Sequence, residues 1–158
     1  MTKVMEAEII SVGTELLLGQ IANTNAQYLG EKLATLGIGL HHIITVGDNT
    51  GRLTSVLEAA WQRADVIILT GGLGPTQDDI TKETVADFLH LKLLLDQPSL
   101  ETIRCFFAER GHQMTNNNIK QALLPEGGEA LPNPNGTAPG VWLDCDGKIV
   151  IILPGPPF

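Results

Sequence analysis

The chain has 158 residues and a formal net charge of −8, with 43% hydrophobic and 18% charged residues and 17 glycines. That length suits one compact domain with a sizeable core. No apolar run approaches the roughly 18 residues of a membrane helix, and the acidic balance lacks the basic footprint of a nucleic-acid binder. Lys3, Glu6 and Glu8 interrupt the first apolar stretch, which argues against a secretory signal. Cys105 and Cys145 lack metal-ligand spacing, so they read as reduced thiols of a cytoplasmic protein.

Strand-like and helix-like segments alternate along the chain. Residues 7–12 read as a first strand ending at Gly13. Asn23 or Thr24 then caps a helix whose apolar face is Ala26, Leu29, Leu33 and Leu36, with Gly37 as its stop. Residues 40–46 are rich in β-branched side chains and read as a second strand. Asp48, Asn49 or Thr50 caps the next helix, where Leu53, Val56, Leu57, Ala60, Trp61 and Ala64 form an amphipathic set.

Residues 66–69 are an unbroken apolar run, as in a central strand covered on both faces. Thr81 opens a helix to about residue 89, Pro98 opens another that ends at Gly111, and Thr115 caps a short one toward residue 124. Residues 140–145 and 148–153 form two strands around the turn signal Asp146-Gly147. This alternation predicts a three-layer α/β/α sandwich with a largely parallel sheet, in one domain over 1–158. The run Pro154-Gly155-Pro156-Pro157-Phe158 reads as a site loop and not as a terminus, so the chain is expected to be one piece of a longer protein.

In such sheets ligands bind beyond the carboxyl ends of the strands. The segments that follow the strands are polar and rich in glycine: residues 13–19 with Asn23-Thr24-Asn25, then Gly47-Asp48-Asn49, then residues 70–81, then residues 154–157. Gly71, Gly72 and Gly74 let main-chain N–H groups approach an anion, either as a phosphate cradle or as a plain tight turn. Asp78 and Asp79 beside such a cradle would repel an anion unless a divalent cation such as Mg²⁺ lay between them; otherwise they favour a helix N-terminus. Lys82 reads as a phosphate partner or a surface lysine, and Asp48 as a third carboxylate or a cap.

Residues 16–30 and 130–143 hold no Asp, Glu, Lys or Arg. An uncharged loop of that length packs against core or ligand. Glu15 stands at the edge of the first as a candidate ligand. Asn135, Gly136 and Thr137 lie in the second, in a rigid polar loop suited to a nucleotide or pterin. His41 and His42 alternate across a strand and cannot share a metal, and neither cysteine has a histidine neighbour, which disfavours nucleophilic catalysis.

The motifs of residues 13–19, 23–25, 46–49, 70–81, 135–140 and 153–157 resemble the N-terminal domain of the competence/damage-inducible CinA family, within the MoaB/Mog molybdopterin-binding superfamily. The resemblance covers essentially the whole chain. It implies a sandwich that forms a homo-oligomer, a dimer or trimer, around a small-molecule nucleotide or pterin.

It also implies one of two activities. One is metal-dependent hydrolysis of ADP-ribose to AMP and ribose 5-phosphate; the other is binding or adenylylation of molybdopterin with ATP and Mg²⁺. A non-catalytic competence-associated domain is a third reading. Asp48 and Asp79 match two aspartates of the Mog pattern, while Leu73 and Asp78 replace its threonine and arginine, which favours the CinA branch. On the hydrolase reading, Asp79 with Asp78 or Asp48 holds the cation, and Gly71, Gly72, Gly74 and Lys82 cradle phosphate oxygens. Glu15, Asn25, Thr76, Asn135, Gly136, Thr137, Pro154 and Gly155 contact the substrate or orient water. Full CinA-type proteins often carry an amidohydrolase domain; nothing in these residues corresponds to it.

Overall fold

The computed structural model describes residues 3–156. Pro157 and Phe158 of the last motif lie outside the described residues. The elements run β1 (Glu6–Val12), α1 (Thr14–Leu17), α2 (Thr24–Thr35), β2 (Gly39–Val46), α3 (Thr50–Arg63), β3 (Val66–Thr70) and α4 (Thr81–Phe88). They continue with β4 (Leu93–Leu95), α5 (Gln97–Glu109), a 3-10 helix (Asn116–Ala122), β5 (Leu123–Pro125), β6 (Glu129–Leu131), β7 (Gly140–Cys145) and β8 (Lys148–Leu153).

Six strands form the main sheet in the order β2-β1-β3-β8-β7-β6. The first four are parallel, and the hairpin partner β7 and then β6 add antiparallel strands. Alternation along the strands divides the core between the two faces. Ile10, Val12, Ile67 and Leu69 pack with Leu53, Leu57 and Ala60 of α3 and Val85 of α4. Ala7, Ile9, Val66 and Ile68 pack with Ala26 and Leu33 of α2. The fold is therefore the three-layer α/β sandwich that the periodicities predict.

Local capping resolves the open alternatives. Asn23, not Thr24, caps α2 by accepting from the Ala26 N–H at 3.2 Å, and Asn49 caps α3 by accepting from Arg52 at 3.0 Å. Neither Asp48 nor Asp79 caps a helix: Ile80 stands at the start of α4 with no side-chain cap. Three features are not in the sequence reading: α1 directly after Gly13, the separate two-stranded sheet β4-β5, and the short edge strand β6. The segment after Thr115 is a 3-10 helix that runs straight into β5.

Candidate functional site

The chain leaves β1 toward β2 on one side of the sheet, while β3 pairs on the other, so the order reverses at the β1/β3 boundary. This is where an open parallel sheet opens a crevice. A cleft of about 590 Å³ lies there, lined by Val12, Thr70, Gly71 and Pro154 at the strand ends. Three chain segments meet closely at its base. A Cβ on Gly71 would fall 2.2 Å from the Val12 carbonyl oxygen, and one on Gly155 would fall 2.9 Å from the Gly71 Cα. Gly71 also has φ +92°, a left-handed conformation that favours glycine. The Thr81 hydroxyl donates to the Gly71 carbonyl at 2.8 Å and fixes the turn to the start of α4.

Four carboxylates line the cleft: Glu15, Asp48, Asp78 and Asp79. Asp79 Oδ2 accepts from the Thr76 N–H at 2.9 Å and the Thr76 hydroxyl at 2.6 Å. Its carboxylate lies against Gly74, where a Cβ would come within 2.5 Å of Oδ2. Asp48 Oδ2 accepts from the Thr14 N–H at 3.0 Å and the Thr14 hydroxyl at 2.9 Å, which ties the end of β2 to α1. The second oxygen of each aspartate takes no hydrogen bond among the described residues. Among the described residues no Lys, Arg or His belongs to the lining.

These donors fit a hard divalent cation of the Mg²⁺ type. Among the described residues no three His, Cys, Asp or Glu side chains gather into a ready-made metal cage. Mg²⁺ does not require one, because it commonly takes one or two carboxylates and fills its shell with water and substrate phosphate. Asp48 and Asp79, each held through one oxygen and free at the other, are suited to that task.

The uncharged lining is Leu16, Ile21, Ala22, Asn23, Thr24 and Asn25, with Asn133, Gly136, Thr137 and Ala138 from the 130–143 segment. The Asn25 Nδ2 donates to the Gly155 carbonyl at 2.6 Å, so α2 and the chain after β8 are joined across the cleft. Both charge-free stretches thus pack against this cleft, as a ligand-facing segment would.

Three sequence expectations need correction. Lys82 does not face the cleft. Its side chain is buried, and Nζ donates to the carbonyls of Lys120, Gln121 and Leu123 at 3.1, 3.0 and 2.7 Å. All three of its protons are thereby used, and burial pulls its pKa down to about 8. Thr76 does not line the cleft; its hydroxyl and N–H hold Asp79 instead. Asn135 is exposed outside the lining, its N–H spent on Asn133 Oδ1 at 3.2 Å.

Lys120 and Gln121 have no part in the sequence reading of the site, and Thr70 enters it only as the first residue of the 70–81 segment. Lys120 Nζ donates to the carbonyls of Thr76 (2.8 Å) and Asp79 and sits 3.3 Å from Glu83 Oε1, so the 3-10 helix clamps the acidic loop. Lys120 itself stays outside the lining, whereas Gln121, from the same 3-10 helix, and Thr70 reach the cleft. A distant lysine carries no local signal of such a role. Thr70 does carry one, since alternation with Ile68 sets its face.

A sandwich of this topology with a ligand cleft at its switch point defines a class, that of the molybdopterin-binding α/β domains. Residues 8–158 match the family described as "Probable molybdopterin binding domain", and the chain belongs to it. Its fold is that of the crystal structure of "the protein CinA with unknown function" from Thermoplasma acidophilum, at 35% identity and a TM-score of 0.87, covering 96% of this chain and 89% of that one. A "CinA-like protein" from Dictyoglomus turgidum is 58% identical over 153 residues, 97% of this chain but 37% of that relative. The chain thus spans well under half the length of the curated relatives it matches. The Mog protein of Mycobacterium ulcerans has the same fold at 20% identity, with a TM-score of 0.63 over 98% of this chain and 86% of that one.

Proposed function

We propose that this domain is a metal-dependent nucleotide pyrophosphatase that hydrolyses an ADP-ribose-type diphosphate to AMP and a sugar phosphate. The observation that carries the reading is the lining of the cleft, whose charged groups are all carboxylates beside a glycine turn. An anionic diphosphate enters such a cleft only with its charge neutralised, which assigns a divalent cation to Asp79 and Asp48, with Asp78 adjacent. When bound, the cation neutralises the phosphoryl oxygens and polarises phosphorus toward attack.

The protein's own residues supply the rest. Gly72 and Gly74 bring main-chain N–H groups against the phosphoryl oxygens, whereas the Gly71 N–H is spent on the Leu153 carbonyl at 3.0 Å and Gly71 only lets the chain turn. Glu15, whose carboxylate has no partner among the described hydrogen bonds, orients the attacking water and takes its proton as the bond to the bridging oxygen breaks. Gly136, Thr137, Pro154 and Gly155 face the sugar and base, and the Asn25 amide holds Gly155 in place. Assembly into a cytoplasmic homo-oligomer belongs to the same reading.

A second reading, a pterin-binding module without turnover, draws on the family match and on the fold shared with Mog. Leu73, buried at 3% exposure, gives that loop no hydroxyl where the Mog pattern has a threonine. Incubation with ADP-ribose and Mg²⁺ tests the two: AMP release supports the hydrolase, whereas a retained pterin with no AMP supports the binding module.

A further inference from the structure

The start of α2 gives the cleft polar lining that is uncharged, namely Asn23, Thr24 and Asn25. This helix has 12 residues and no acidic residue in its first turn. Its Asn23 cap is used on the Ala26 N–H and on Ser11 Oγ, to which Asn23 Nδ2 donates at 2.8 Å. The Asn25 N–H, in the first turn, has no partner among the described residues. The positive end of the α2 dipole is therefore directed at the cleft without a counter-charge of its own.

An independent feature beneath it calls for a ligand. Thr70 is the last residue of β3 and the register partner of Ser11 on β1. The two side chains share the α2 face of the sheet, and the Ser11–Asn23 bond places that face directly under the start of α2. Thr70 is 3% exposed and lines the cleft. Its hydroxyl makes no hydrogen bond among the described residues. That hydroxyl opens onto the cleft and is not sealed in the core, so a ligand oxygen can reach it and accept its hydrogen bond.

We infer that the Thr70 hydroxyl and the first turn of α2 form a phosphoryl subsite that works without a cation. It rests on the diphosphate reading above and deepens it. One phosphoryl group of the substrate accepts from Thr70 and the Asn25 N–H, and the other meets the acidic side, where Asp48 and Asp79 require the metal. The division assigns each phosphorus its own environment and fixes which of them the cation serves.

The test uses inorganic phosphate and the whole chain in the presence of a chelator, with binding followed by ³¹P line broadening. Phosphate is expected to bind the unmodified chain. Thr70→Val should weaken binding at least fivefold, Thr70→Ser should retain it within about twofold, and Asp79→Asn should leave it unchanged or tighten it. Thr70→Ala removes the hydroxyl with less bulk and gives the same reading should valine disturb the fold. Equal binding by the unmodified chain and the Val or Ala variants, or phosphate binding only with Mg²⁺, overturns the subsite. Turnover plays no part in this measurement. Thr70-dependent phosphate binding with no AMP release would keep the subsite and remove the hydrolase; AMP release with Thr70-independent binding would do the reverse.

Discussion

The two ends of the parallel sheet treat charge in opposite ways. At the amino end Glu8 is 2% exposed, yet Arg63 bonds both its oxygens, with Nη2 at 3.1 Å from Oε2, and His42 Nδ1 lies 3.1 Å from Oε1. Asp65 there takes the Lys3 ammonium at 2.7 Å and the Glu6 N–H at 3.0 Å. At the carboxyl end Glu15, Asp48, Asp78 and Asp79 line one cleft with no basic side chain among them. Paired acids hold the fold together, whereas the acids gathered in the cleft are the ones to which the proposed function gives a cation.

Substitutions at the two ends should therefore have different consequences. Glu8→Ala removes a buried carboxylate that accepts from Arg63, whose own side chain stays in reach of water, and should lower unfolding stability by about 1.5 kcal/mol, whereas Asp78→Asn, at an exposed acid, should change it by no more than about 0.5 kcal/mol. Urea midpoints measure both, and a Glu8→Ala chain as stable as the parent would break the distinction. Asp79→Ala should reduce AMP release by about 100-fold, or about 2.7 kcal/mol in barrier, while the far-UV spectrum stays that of the folded chain.

Lys82 adds a third case, a buried cation with no carboxylate bonded to it. Lys82→Met strips the donor from three carbonyls and should cost about 2 kcal/mol. The same residue has a pH signature. Its folded-state pKa of about 8 lies below the ordinary 10.5, because burial disfavours the ammonium. The unfolded chain therefore binds more protons between those values, so Lys82 makes stability rise as pH increases from about 8 to 10.5. That increment should vanish in Lys82→Met; an identical slope in both chains contradicts it.

The smallest effect belongs to Asp65, which the Lys3 ammonium and the Glu6 N–H hold below the usual carboxylate range. Its contribution is present above the unfolded value near 3.9 and is lost as pH falls through the folded one. Lys3→Ala should flatten that acid limb slightly, as expected of an exposed pair; a large change in acid stability would contradict it.

Much of this architecture was legible because period and alternation are local. The set Leu53, Leu57 and Ala60 marks the buried face of α3, and the run over 66–69 marks a strand covered on both sides. The convergence of polar loops at one sheet edge followed from the α/β class alone. Lys82 was misread for a physical reason: its partners are main-chain carbonyls 38 to 41 residues further on, which no residue pattern displays. A cue did exist, since Lys82 shares a helical face with Val85, Ala86 and Leu89. Thr76 and Asn135 belong to the right loops but turn their polar groups onto neighbours in those loops, a detail of turn geometry that composition does not encode.

The central claim is that the acid-lined end of the cleft admits a nucleotide diphosphate only in company with a cation. Calorimetric titration of ADP-ribose with Mg²⁺ and with chelator tests it most directly. Mg²⁺ should tighten binding at least tenfold in the unmodified chain and much less in Asp79→Asn. Equal affinity with and without Mg²⁺, or the same Mg²⁺ effect in Asp79→Asn, would contradict it.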